Sequence, residues 1–79
     1  MSQEKLREAS DVLRDASGAA EGETSERLQS QADALAELAE ADRGPDHGRV
    51  ARHQQKLREI EGSASEVEDG IDRANALLN

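Results

Sequence analysis

Two histidines and a run of arginines are the side chains here whose chemistry has to be tested first. The stretch RGPDHGRVARHQQKLRE, residues 43–59, holds both His47 and His53. It also holds five of the ten Lys and Arg of a chain whose net charge is −8. Two histidines on one helix ligate a metal together when they share a face, at a spacing of three or four. His47 and His53 are six apart, so no metal centre is expected from them. His47, beside Asp46, reads as a solvated turn residue, and His53 as a partly buried histidine at the edge of a core. A pH-sensitive contact is the lesser reading of His53. The sequence has no cysteine, which removes disulfides and thiolate ligands. It has eighteen Asp and Glu, but no spacing singles out a pair. General acid–base work needs a pocket that shifts a pKa, and a slim chain without aromatics offers little wall for one. There is no glycine-rich phosphate loop, and the serines have no evident base. Neither catalysis nor a cofactor is expected.

The basic residues are a better candidate. With Val50 set at position a of a heptad, Arg49 and Lys56 both fall at g and Arg52 at c. They make one stripe beside the apolar seam, and Arg43 lies just before it. The N-terminal turn of a helix there would add free N–H groups and the positive end of the dipole. Two readings compete. In the first, the stripe pairs with acidic side chains of a neighbouring helix or a second chain, with Glu37, Glu40 and Asp42 just across a turn. In the second, it docks nucleic acid or another polyanion. The first is preferred, because the chain is acidic overall, has no aromatic ring to stack on bases, and phosphate contacts weaken steeply with salt. A docked protein partner is a further reading.

Charge is distributed unevenly. Residues 1–42 are net −7, residues 43–58 net +4 and residues 59–79 net −5. Only Lys5 and Lys56 among the ten bases are lysine; the other eight are arginine. An acidic, lysine-poor, alanine-rich composition suits a chain living at high salt. There the Debye length shrinks to about 3 Å and self-repulsion is screened. A cytoplasmic, high-salt setting is therefore expected. No run is long and apolar enough for a membrane span.

The elements that must carry these residues are helices. Ala, Glu, Leu, Arg and Gln dominate, and no stretch alternates with period two. Leu6, Ala9, Leu13, Ala16 and Ala20 are spaced 3-4-3-4, and Leu28, Ala32, Leu35 and Ala39 are spaced 4-3-4, with Leu38 beside them. From Val50 through His53, Leu57, Ile60, Ala64, Val67, Ile71 and Ala74 to Leu78 the 3-4 rhythm is unbroken. This is the seam of helices packing at a shallow angle. One all-α domain over 1–79 is expected, an antiparallel helical hairpin or bundle. Its long helices run about 3–41, with a break near 18–24 as the alternative, and about 47–78. The turn between them falls at GPDHG, where Asp42 or Asp46 could cap and Pro45 suits a first helical turn. Weaker punctuation lies at SGAAEGETS (17–25), with Gly22, and at EGSASE (61–66), where Gly62 could end a helix and Ser63-Ala-Ser-Glu66 has the form of a capping box. Residues 21–38 and 61–78 match at seven of eighteen positions, a hint of duplication.

The large apolar side chains number eight Leu, three Val and two Ile besides Met1. That is little for a lone chain of this length. A hairpin would leave its seam half covered, so a homodimer closing a four-helix bundle is expected. True breaks at both Gly22 and Gly62 would instead let one chain close the bundle alone.

At RGPDHGRVARHQQKLREI, together with ERLQSQADALAELAEADRGPDHGR, the sequence resembles a group of small acidic helical proteins of haloarchaea. Their common run has the form LAELAE-x-D-RGPDHGR-[LV]-ARH followed by an amphipathic helix. The likeness covers most of the chain and is most specific over residues 27–60. It implies a haloarchaeal origin and an all-helical fold, and carries no assigned activity. It also implies a chain that continues past Asn79 into a short Tyr-containing tail. The functional expectation is a non-catalytic interaction or structural module. The alternative is a small nucleic-acid-associated regulator using Arg43, Arg49, Arg52 and Lys56.

Overall fold

The structure, a computed structural model, describes residues 3–40 and 47–78. Four α-helices follow one another: α1 (Gln3–Ala19), α2 (Gly22–Glu40), α3 (His47–Ser63) and α4 (Glu68–Leu78), with a 3-10 turn over Ser65–Val67 before α4. The described residues contain no strand. Helix α1 packs on α2 and α4, and α3 packs on the same two from the other side. Successive helices run antiparallel, so the chain makes an up-down-up-down bundle measuring 34 × 17 × 16 Å.

The apolar spacing explains the core. Leu6, Ala9 and Leu13 of α1, Leu28, Ala32, Leu35 and Ala39 of α2, Val50, Leu57 and Ile60 of α3, and Ile71, Ala74 and Leu78 of α4 are all buried in one cluster. Each sits on the inward stripe that a 3.6-residue period generates. Burying a Leu or Ile stabilises by roughly 1.5–3 kcal/mol, and six large side chains, Leu6, Leu13, Leu28, Leu35, Leu57 and Ile71, are wholly enclosed.

The helices do not approach one another equally. α1 lies close to both neighbours because small side chains face across those contacts. A Cβ placed on Gly70 of α4 would come within 2.9 Å of the Ala16 Cβ, so only glycine allows α4 to sit there. The buried Ser10 hydroxyl donates to the Ala32 carbonyl of α2 at 2.7 Å. By contrast α3 stands further from α2 and α4, held off by larger side chains and by the polar Gln54 and His53 on its flanks.

The first joint falls where Gly22 marked it. Gly22 opens α2 with φ +60°, a left-handed conformation that side-chain-bearing residues adopt at a cost. The Ser25 hydroxyl donates to the Ser17 carbonyl at 3.0 Å and the Ala20 N–H to the same oxygen at 3.2 Å, so the end of α1 is satisfied.

The second joint corrects the expectation of one helix over 47–78. The seam register is indeed continuous, since Val50, Leu57, Ile60, Ala64, Val67, Ile71, Ala74 and Leu78 are all buried. The backbone is not. It leaves the helix at Ala64, with φ −146° and ψ 89°, and re-enters through the 3-10 turn. A straight helix of that span would be about 48 Å long and would leave half its seam in water. Folding back at Ala64 lets α3 and α4 cover each other while Ala64 and Val67 keep their inward places. Gly62 is no break: it lies within the last turn of α3. Nor does Ser63 form a capping box; its hydroxyl donates back to the Ile60 carbonyl at 3.0 Å, and the residue at the cap is Ala64, without a side-chain bond.

Candidate functional site

The basic stripe belongs to α3. Arg49, Arg52 and Lys56 are all exposed, and Arg49 and Lys56 border α2. Arg49 borders a shallow cleft with Ala34, Glu37, Leu38 and His53. Two turns further along, Lys56 and Glu59 border a larger open cleft whose opposite wall is Glu23, Glu26, Arg27, Ser30 and Gln31 of α2. The α3 bank of the groove therefore carries Arg49 and Lys56 with Glu59 among them, and the α2 bank carries Glu23, Glu26 and Glu37 with Arg27 among them. Glu37 is level with Arg49, and Glu23 and Glu26 are level with Lys56. On the acidic bank Glu23 is engaged by Arg27 one turn along the same helix. Arg14 of α1 pairs with Asp33 on the far side of α2 at 3.0 Å. Arg43 and most of the expected 42–47 turn, with Asp42 and Asp46, lie outside the described residues.

His53 occupies the middle of the groove, half-buried on the seam. Its Nδ1 lies 2.5 Å from Gln31 Oε1. An amide oxygen only accepts, so the ring carries its proton on Nδ1. Burial, and then the charges of Lys56 and Arg49, hold the imidazole below its ordinary pKa. His53 is thus kept neutral inside a basic row. His47 opens α3, six residues away.

The opposite flank of α3 carries a second polar contact. Glu61 meets Asp72 of α4 within hydrogen-bonding reach, with Glu68 of α4 and Arg58 of α3 near it. Its carboxyl is raised above the ordinary value, first by the hydrogen bond with Asp72, then by burial and by repulsion from Asp72 and Glu68, against which Arg58 works. Glu61 Oε2 is screened from water and meets no hydrogen-bond partner among the described residues, and Asn75 Oδ1 is in the same position. Beside them Gln54 Nε2 donates to the Asn75 carbonyl at 3.3 Å.

Of the seam residues singled out from spacing, Val50, Leu57, Ile60, Val67, Ile71 and Leu78 are buried within the one chain, and His53 lies at their edge. Their burial leaves no open seam for a second chain to cover, which was the ground for expecting a dimer. Sequence reasoning overlooked Gln31 and the Glu61–Asp72 pair. Gln31 was signalled only by standing beside the Leu28–Leu35 seam. Glu61 and Asp72 become neighbours only once the chain reverses at Ala64. Among the described residues no group of three or more His, Asp or Glu is placed to hold a metal ion, and no helix is long and apolar enough to cross a membrane.

Fold and groove together define a small all-α protein, a four-helix bundle with one mixed-charge edge. The chain belongs to a family of unknown function, DUF7553, which it matches over residues 1–79. No curated protein and no solved structure matches it.

Proposed function

We propose that this chain is a non-catalytic interaction module of a high-salt cytoplasm that pairs with a second copy of itself along the α2–α3 groove. The observation that carries this reading is the side-by-side arrangement of the two banks, one mainly basic and the other mainly acidic. A two-fold axis running along the groove exchanges the banks. It sets Arg52 and Lys56 of one copy against Glu26 and Glu37 of the other, and the reverse. Such an isologous contact is self-complementary. Molar salt screens charges beyond about 3 Å, so only pairs in contact contribute, and they set register and partner choice more than strength. The acidic composition and the scarcity of lysine support the high-salt setting.

Sedimentation equilibrium in molar KCl, with interference optics because the chain has no aromatic residue, tests the pairing. Wild type is expected at twice the chain mass. Arg52→Glu/Lys56→Glu and Glu26→Lys/Glu37→Lys are each expected as monomers that pair when mixed. A monomeric wild type, or variants that dimerise as well as it does, overturns the reading. Duplex DNA binding by wild type that the Arg52→Glu/Lys56→Glu variant loses would replace it with the nucleic-acid role. Helicity by circular dichroism across the same KCl series checks the setting: it should be lower in dilute buffer and recover in molar salt.

A further inference from the structure

The two flanks of α3 are held by groups of opposite response to protons, and α3 is the helix set furthest from its neighbours. We propose that α3 is an acid-released arm of the bundle: acidification frees its α2 flank at His53–Gln31 while it secures its α4 flank at Glu61–Asp72. This is independent of whether two copies pair.

On the α2 flank, a proton taken up by His53 puts a cation into a half-buried site between Arg49 and Lys56. The bond to Gln31 Oε1 survives, because Nδ1–H already donates it. What changes is burial of charge and repulsion along the row. Glu37, on the α2 wall of the same cleft, opposes this from one side only. The folded pKa lies below the unfolded one. The neutral ring therefore favours the closed groove fully above the ordinary histidine value near 6.5, and that preference is lost as pH falls through the folded value.

On the α4 flank the sign reverses. Glu61 lies within hydrogen-bonding reach of Asp72, with one of its own carboxyl oxygens screened from water and without a donor. Glu68 adds to the repulsion and Arg58 relieves part of it. A proton on Glu61 removes that repulsion and supplies a donor at the contact. The Glu61 pKa is raised in the fold, so acid stabilises this contact, an effect that grows as pH falls through the folded value and levels off below the unfolded one. α3 is thereby released from one neighbour and tied to the other by the same change.

The absence of cysteine makes site-directed spin labels unambiguous. Gln29→Cys/Gln55→Cys reports the α2–α3 separation and Ala51→Cys/Ala76→Cys the α3–α4 separation, all four residues being exposed. Labelled chain is diluted into unlabelled protein so that distances are read within one chain. Between about pH 8 and about pH 5, spanning the ordinary histidine pKa near 6.5, the α2–α3 distance distribution is expected to broaden while the α3–α4 distribution does not. His53→Gln should abolish the broadening. An α2–α3 distribution that keeps its width, an α3–α4 distribution that broadens with it, or broadening that persists in His53→Gln overturns the proposal.

Discussion

Helices α1 and α3 stand diagonally opposed in one bundle and share the same two neighbours, yet they hold their places by different means. α1 is pressed against α2 and α4 through Ala9, Ser10, Ala16 and the facing Gly70. Small residues at a helix contact let backbones approach, and close approach multiplies dispersion contacts. α3 offers Val50, Leu57 and Ile60 to the core, but its flanks are Gln54, His53, Glu61 and the basic row. Its position is set by hydrogen bonds and charge as much as by packing. The difference shows how one bundle can hold a fixed half and an adjustable half without any change of fold class.

The largest expected effect that sharpens this comparison comes from deleting the same side chain in both places. Leu13 and Leu57 are each fully enclosed. Truncation to alanine costs about 2–5 kcal/mol, depending on how far the surroundings collapse into the space. Leu13→Ala should fall at the upper end, because α1 has no slack. Leu57→Ala should fall at the lower end, because α3 can move inward. Denaturant unfolding followed by circular dichroism in molar KCl reads both. Equal losses, or the reverse order, would break the contrast.

Much of the fixed half was legible in the sequence. The 3-4 spacing of Leu and Ala named the buried stripe of every helix, because a stripe follows from the helical period alone. The Gly22 joint was legible too, since the left-handed turn there needs glycine. The second joint shows in the sequence only as weak punctuation over EGSASE at 61–66, with Gly62 rather than Ala64 as the marked residue, set against an unbroken register. Register reports which side of a helix faces inward, and a reversal through one extended residue and a 3-10 turn keeps that side facing inward. An unbroken seam is therefore compatible with a broken helix. Of the bases in the candidate site, Arg49 and Lys56 border the α2–α3 groove. What they face was only partly foreseen: Glu37 was named as a neighbour, while Glu23, Glu26 and Gln31 of α2 were not. The Glu61–Asp72 contact depends wholly on the reversal at Ala64, which the preferred unbroken helix over 47–78 does not contain.

A smaller effect is expected where α1 and α4 touch. Gly70→Ala places a methyl 2.9 Å from the Ala16 Cβ. The contact can relieve itself only by separating the helices, and overpacking of this kind costs about 1–3 kcal/mol. The gain in helix propensity, about 1 kcal/mol, offsets part of it. A lowered thermal midpoint is expected, and the double change Ala16→Gly/Gly70→Ala should recover part of the loss by moving the small residue to the other helix. An unchanged midpoint for Gly70→Ala alone would mean that α4 is as loosely held as α3.

The smallest effect separates the two glycines that looked alike in the sequence. Gly22 has φ +60° and open space around it, so alanine there meets no atom but must adopt a left-handed backbone, at roughly 1–2 kcal/mol. Gly62 also has open space, but it lies in the last turn of α3 with no positive φ. Alanine at that position should stabilise by about 0.5–1 kcal/mol, through helix propensity and a less flexible unfolded chain. Thermal unfolding of the two single variants should therefore shift in opposite directions. The sign, more than the size, is informative: EG at 21–22 and EG at 61–62 are the same dipeptide, and only the first is a joint. Shifts of the same sign would place a joint at both, returning the four-helix division to the glycines and removing Ala64 as the point where α3 and α4 part.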